Sequence, residues 1–263
     1  MSNDKITVLT NGTIYTNNPE IPVVSTVTAK DGIIISAGDN SAIPEDAEIT
    51  DLKGRFVFPG FIDTYTAPAI DLFNQKAPSE EDFDDNDMRQ WVGDCLDVVT
   101  DKGVTTLCLL PADDGFGGAF ARIAAEIAEQ NDQRPVRLTV LTDTSWLSED
   151  DMLPDYAFEN TFFSPKSSDL IFRPVFDDSE SVREAIANLT VKAAAKAGCG
   201  LTGTIKTGAA ADFVVFDENP LLDNLKFFSW AHAAMTFING EKAYDADDAA
   251  MSEMYDMLIS QTL

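Results

Sequence analysis

Short β-type runs, each closed by a turn dipeptide, occupy both ends of this chain, and a helix–strand alternation lies between them. At the front, Ile6 to Leu9, Asn11-Gly12 and Thr13 to Thr16 read as a hairpin, because Asn-Gly between apolar runs favours the tight primed turns. Val23 to Lys30, Asp31-Gly32 and Ile33 to Ile35 repeat the pattern, and Ile49 and Arg55 to Phe58 add two short strands. At the back, Asp212 to Phe216 reads as a strand, and Met235 to Ile238, Asn239-Gly240 and Lys242 to Tyr244 as another hairpin.

The middle obeys a different period. Met88, Trp91, Val92, Cys95, Leu96 and Val99 fall on one face of a helix, with Gly103 placed to end it. Val104 to Leu110 is a continuous apolar run stopped by Pro111, the mark of a buried strand. Phe120, Ile123, Ala124 and Ile127 predict a second helix, Val136 to Leu141 a strand, and Ser181-x-x-Glu184 a capping box opening a third helix through Lys196. Helices alternating with strands imply parallel βα units. Residues 145–178, acidic and proline-bearing, read as a long, partly irregular connection, and Met251, Met254, Tyr255, Leu258 and Ile259 predict a final helix.

Charge removes several functions. With 18 Lys and Arg against 45 Asp and Glu, the net charge of −27 repels a phosphate backbone and argues against nucleic acid. The sequence holds no apolar run of transmembrane length and no basic-then-apolar leader, which predicts neither a membrane span nor a secretory signal. Cys95, Cys108 and Cys199 are odd in number and widely spaced, so a cytoplasmic protein is expected, with buried structural thiols at Cys95 and Cys108.

Three segments together resemble the amidohydrolase superfamily, near its formamide-deformylase-like and imidazolonepropionase-like branch. Gly54-Arg-Phe-Val-Phe-Pro-Gly-Phe-Ile-Asp63 is similar to the signature that leads from an N-terminal β-sandwich into the first barrel strand. Gly103-Val-Thr-Thr106 resembles the second barrel strand. Gly203-Thr-Ile-Lys-Thr-Gly208 with Ala211-Asp212-Phe-Val-Val-Phe-Asp217 resembles the return from barrel to sandwich, and Glu184 to Thr190 the helix before it. The resemblance implies a composite β-sandwich built from residues 1–58 and 202–246, an α/β barrel domain over 59–201, and a C-terminal helix over 247–263. It also implies hydrolysis of C–N bonds by one or two metal ions that lower the pKa of a bound water.

The first metal ligands of that family are a His-x-His pair directly after Phe-Ile-Asp, since residues i and i+2 of a strand point the same way. This chain has Tyr65 and Ala67 at those positions. His232 is the only histidine, and it lies in the return segment outside any barrel strand. Asp169 is the position left for the family's aspartate ligand, and one carboxylate is not a site. From Pro59 to Gly200 there are roughly 140 residues, against about 250 for a (β/α)8 barrel, so about two or three βα units are expected. A truncated, incomplete TIM-barrel-like middle leaves strand edges open, which predicts self-association or a family-member partner.

Other constellations are weaker. Gly115-Phe-Gly-Gly118 could cradle an anion, but Asp113 and Asp114 precede it and Phe120 replaces the third glycine. Asp82, Asp84 and Asn86 begin like a calcium loop, which then fails at Asp87 and Gly93. The sequence therefore predicts α/β plus β architecture and a catalytically degenerate amidohydrolase-like protein, not an enzyme, with no metal, no cofactor and no catalytic residue. Its role would be binding, assembly or regulation. The rival readings are a C–N hydrolase with a non-standard or partner-completed site, and a structural oligomer.

Overall fold

The computed structural model describes residues 5–38, 43–63, 89–90, 100–109, 126, 137–140, 182–221 and 233–250. These residues form mostly strands, with two short helices before the strands of the C-terminal part and helical residues again at 246–250. In chain order they are β1 (Ile6–Thr10), β2 (Thr13–Tyr15), β3 (Val23–Val24), β4 (Thr26–Lys30), β5 (Ile33–Gly38), β6 (Glu48–Asp51) and β7 (Phe56–Pro59). Then come β8 (Phe61–Asp63), β9 (Val104–Leu109), β10 (Arg137–Val140), α1 (Val182–Leu189) and α2 (Val191–Ala197). The chain returns through β11 (Phe213–Phe216), β12 (Met235–Ile238) and β13 (Glu241–Asp245).

The strands make three sheets. One is four-stranded, in the order β5-β4-β1-β6, and a second is six-stranded, β13-β12-β11-β7-β2-β3. The third, β10-β9-β8, is parallel throughout. The six-stranded sheet joins the two ends of the chain at one seam, where β11 runs antiparallel to β7 with Phe213 opposite Pro59 and Phe216 opposite Phe56.

Alternation along these strands places the core. Leu9, Val27 and Ile34 from the four-stranded sheet meet Ile14, Val57, Phe213, Val215 and Phe237 from the six-stranded sheet in one buried cluster. The intervening residues of the six-stranded sheet, Phe58, Val214 and Phe216, are buried too. Phe58 stacks on Tyr15 at 4.9 Å, and Phe216 lies 6.1 Å from Phe61 of β8. Both faces of this sheet are therefore covered at its central strands β7 and β11, which is why β11 reads Phe-Val-Val-Phe without alternation.

Two of the three expected hairpins form. Asp31 and Gly32 have φ of 49° and 81°, and Asn239 and Gly240 have 53° and 75°, the paired left-handed residues of a type I′ turn. The turns connect β4 to β5 and β12 to β13. The Asn11-Gly12 hairpin does not form. Asn11 is left-handed at φ 60° while Gly12 is not, so the chain crosses from the four-stranded sheet to the six-stranded one instead of doubling back. The run Val23 to Lys30 divides between the same two sheets at Ser25.

The single helix expected from Ser181 to Lys196 is two helices. Thr190 breaks it, with backbone angles of −129° and −96°. Its hydroxyl donates to Ile186 O and accepts from Asn17 Nδ2 at 2.8 Å, so the break is pinned to the chain's N-terminal part. The connection expected over residues 145–178 and the helix expected from Met251 to Ile259 lie outside the described residues, as does most of the helix expected from Met88 to Val99. Among the described residues no helix is long and apolar enough to cross a membrane.

Candidate functional site

In open α/β sheets, ligands sit beyond the carboxyl ends of the parallel strands. Here those ends are Asp63 of β8 and Cys108 and Leu109 of β9, side by side because β8 and β9 pair with Asp63 opposite Leu107. Parity sends Asp63 and Ile62 to opposite faces. Ile62 and Cys108 share the face that α2 covers, in contact with Ala193 and Ala194, with Ala197 and Cys199 packed against them. Small side chains on α2 let its backbone settle close to the sheet.

The approach to this site is fixed by close backbone contacts. A Cβ on Gly60 would fall 2.3 Å from the Thr105 side chain, so only glycine lets β7 hand over to β8 against β9. The Thr105 hydroxyl then donates to Phe61 O at 3.3 Å. On the return side, Gly203 has φ 80°, and a Cβ there would lie 2.8 Å from the Thr190 carbonyl. Asp212, almost fully buried, accepts the Asn239 N–H at 2.9 Å, and its carbonyl accepts the Gly60 N–H at 2.9 Å. Asp212 therefore ties the β12–β13 turn and the β7–β8 junction to β11. The residues behind the sequence resemblance are thus joints of the fold: Gly60, Thr190, Gly203 and Asp212.

At the strand ends themselves the electrostatics are those of buried thiol and carboxylate. Asp63 is 2% exposed. Cys108 is fully buried, and its thiol is pushed far above the ordinary cysteine range by a hydrogen bond with Cys199, then by burial, then by the charges of Cys199 and Asp63. Cys108 is accordingly a neutral thiol at physiological pH. Thr106, also fully buried, carries a hydroxyl with no hydrogen-bond partner among the described residues.

Tyr65, Ala67 and Asp169 lie outside the described residues, as do Cys95, His232, the Gly115–Gly118 loop and the calcium-loop-like positions Asp82, Asp84, Asn86, Asp87 and Gly93. Cys108 is buried, as its place on an apolar strand face predicted. The neighbourhood of Cys108 and Cys199 was not predicted. They lie on different elements far apart in sequence, and only strand parity bears on where Cys108 points.

Neither a protein-family model nor a curated protein matches the chain. Solved structures do. An amidohydrolase from an environmental sample of the Sargasso Sea aligns with a TM-score of 0.59 at 13% identity, over 98% of this chain and 100% of that one. Molinate hydrolase aligns with a TM-score of 0.60 at 10% identity, over 91% and 94% of the two chains. A variant of atrazine chlorohydrolase from Arthrobacter aurescens, complexed with zinc and atraton, gives 0.60 at 10% identity, over 91% and 95%. At such identities the likeness is one of fold, and the fold is that of amidohydrolases, as the segments ending in Asp63, Thr106 and Asp217 implied.

The donors present do not match the histidine-rich metal site that the resemblance implies. The chain has one histidine. Among the described residues no three His, Cys, Asp or Glu side chains come together as a metal site. Among the described residues, the ends of β8 and β9 carry the Asp63 carboxylate and the Cys108 thiol, with Cys199 packed nearby from the turn after α2.

Proposed function

We propose that this is a catalytically degenerate amidohydrolase-like protein, with a binding, assembly or regulatory role. The observation that carries the reading is the replacement of the expected His-x-His pair by Tyr65 and Ala67 in a chain whose only histidine is His232. Alanine offers no donor, and a neutral phenol is a poor replacement for imidazole on a divalent metal. Without a polarising metal, neither the water nor the scissile carbonyl is activated.

In this reading, residues 1–58 and 202–246 form a composite β-sandwich, residues 59–201 a shortened barrel, and residues 247–263 a terminal helix. The shared core of the four- and six-stranded sheets supports the first part, and the roughly 140 residues between Pro59 and Gly200 support the second, against about 250 in a full barrel. A shortened parallel sheet has edges that need cover. Self-association, or pairing with a related chain, supplies it.

Turnover tests the proposal. Purified protein is assayed against amides, lactams and cyclic imides with zinc, manganese or iron supplied. The proposal expects no turnover above the metal-only control. Hydrolysis at enzyme-like rates, retained in the Ala67→Ser and Tyr65→Phe variants, would favour instead a hydrolase with a non-standard site. Light scattering after size exclusion tests the partner reading, with a dimer or larger species expected and a clean monomer contradicting it.

A further inference from the structure

We infer that Cys108 and Cys199 are a redox pair, which hydroperoxides oxidise to a reversible intramolecular disulfide tying β9 to the turn that ends α2. The inference does not depend on whether the protein is an enzyme.

The geometry brings the two thiols together from both sides. Cys108 lies one residue from the end of β9, on the face that α2 covers. Cys199 follows Gly198, which caps α2 in the left-handed conformation at φ 72°. The Cys199 backbone is held: its N–H donates to Ala194 O at 2.9 Å, and its carbonyl accepts the Thr202 N–H at 3.0 Å and the Thr202 hydroxyl at 2.8 Å. Its thiol points back toward α2, with Ala197 O at 3.8 Å. Both sulfurs belong to one small cluster with Ile62, Ala193 and Ala194 and are hydrogen-bonding neighbours. On the α2 side their neighbours are the small Ala193, Ala194 and Ala197.

The two thiols are unequal in a useful way. Cys108 is fully buried, whereas Cys199 is partly exposed. Cys199 is therefore the sulfur that meets an oxidant, and Cys108 the one that resolves the product. The Cys199 thiolate attacks a peroxide oxygen, and the O–O bond breaks. Cys199 becomes a sulfenic acid, and the leaving hydroxide or alkoxide takes a proton. The Cys108 sulfur then attacks the Cys199 sulfur. An S–S bond forms as the S–O bond breaks, and the released hydroxide leaves as water with the Cys108 proton. Two thiols lose two electrons and two protons, and the hydroperoxide is reduced to an alcohol, or to water, plus one further water. A dithiol reductant reverses the bond by exchange.

The disulfide would close a long loop containing the whole connection from β9 to α2, and long loops gain most from closure. It would also stiffen the ends of β8 and β9 beside Asp63, making oxidation a control on whatever that end of the sheet binds.

The test uses the full wild-type chain, reduced, desalted, exposed to equimolar hydrogen peroxide, and then capped with N-ethylmaleimide after denaturation. The inference expects loss of two caps and a mass lower by two hydrogens. It also expects a Cys108–Cys199 linked peptide that vanishes on reduction, and a Tm higher by about 5 °C in the oxidised form. The Cys95→Ser variant should behave identically, and Cys199→Ser should keep its Cys108 thiol capped in full. A disulfide through Cys95, a cross-link between chains, or Cys199 accumulating as sulfinic acid beside an intact Cys108 thiol would overturn the inference.

Discussion

In the four- and six-stranded sheets, Leu, Ile, Val and Phe from both ends of the chain fill one continuous core. In the parallel sheet, the corresponding cluster is Ile62, Cys108, Ala193 and Ala194. The first region is held by large apolar side chains and by turns whose φ values suit their residues. The second is held by close backbone approach at Gly60 and at Thr190–Gly203. The two regions are thus held by different means: side-chain volume in the two-sheet body, and backbone proximity at the joints that lead out of it and back.

A cavity in the two-sheet core should cost the most stability. Phe213 is fully buried and packs edge-on to Phe237 with ring centroids 6.4 Å apart. Phe213→Ala should cost about 4 kcal/mol, read as a shift of the main denaturant transition. A cost below about 1 kcal/mol would show that this core does not govern stability.

A smaller effect is expected in the parallel sheet. Ile62→Ala should cost about 3 kcal/mol. Hydrogen exchange should show more protection lost over 104–109, which pairs with the strand of Ile62, than over 213–216, whose core lies largely in the two-sheet body. Equal loss in both segments would merge the two regions into one cooperative unit.

The joint between them comes next. Gly60→Ala puts a methyl group into Thr105 and should destabilise by about 2 kcal/mol, through overpacking. Pairing it with Thr105→Ser, which removes one of the atoms it strikes, should return part of that loss. Additive losses would place the strain elsewhere.

The smallest effect is at the β12–β13 edge and depends on pH. Burial pushes Asp245 upward, but Lys242 and the backbone N–H groups of Asp247 and Asp248 outweigh it and hold the carboxyl below its ordinary 3.8. A depressed acid stabilises the fold above its unfolded pKa and stops doing so as pH falls through the folded value. Lys242, whose hydrogen bond with Asp245 raises it above 10.5 despite some burial, works in the opposite sense and loses its contribution as pH rises through the folded value. Lys242 is 41% exposed, so solvent screening limits the pair to about 0.5 kcal/mol. Lys242→Met should lower the melting temperature slightly at neutral pH, and by progressively less as pH falls through the depressed pKa of Asp245. Asp51, lowered chiefly by the Lys53 N–H and then by the Asn11 amide, follows the acid limb in the same direction.

Much of the two-sheet body was legible because its signals are local. Asp31-Gly32 and Asn239-Gly240 are hairpin turns whose residues carry the required φ values themselves. Asn11-Gly12 has the same letters and a different outcome, because β1 finds its partners in β4 and β6 while β2 pairs with β3 and β7. The helix expected from Ser181 through Lys196 was legible through its capping box, and its break was not, since Asn17 reaches Thr190 from the other end of the chain. At the site, Asp63 was visible within a motif. The thiol pair was invisible, because β9 and the turn after α2 meet only through the fold.

Metal content tests the central account most directly. Protein purified from cells grown with zinc, iron, nickel and manganese is dialysed against metal-free buffer and measured by plasma mass spectrometry. The account predicts metal far below one equivalent per chain, unchanged by oxidation of the thiols. Near-stoichiometric zinc, iron, nickel or manganese surviving dialysis would contradict it.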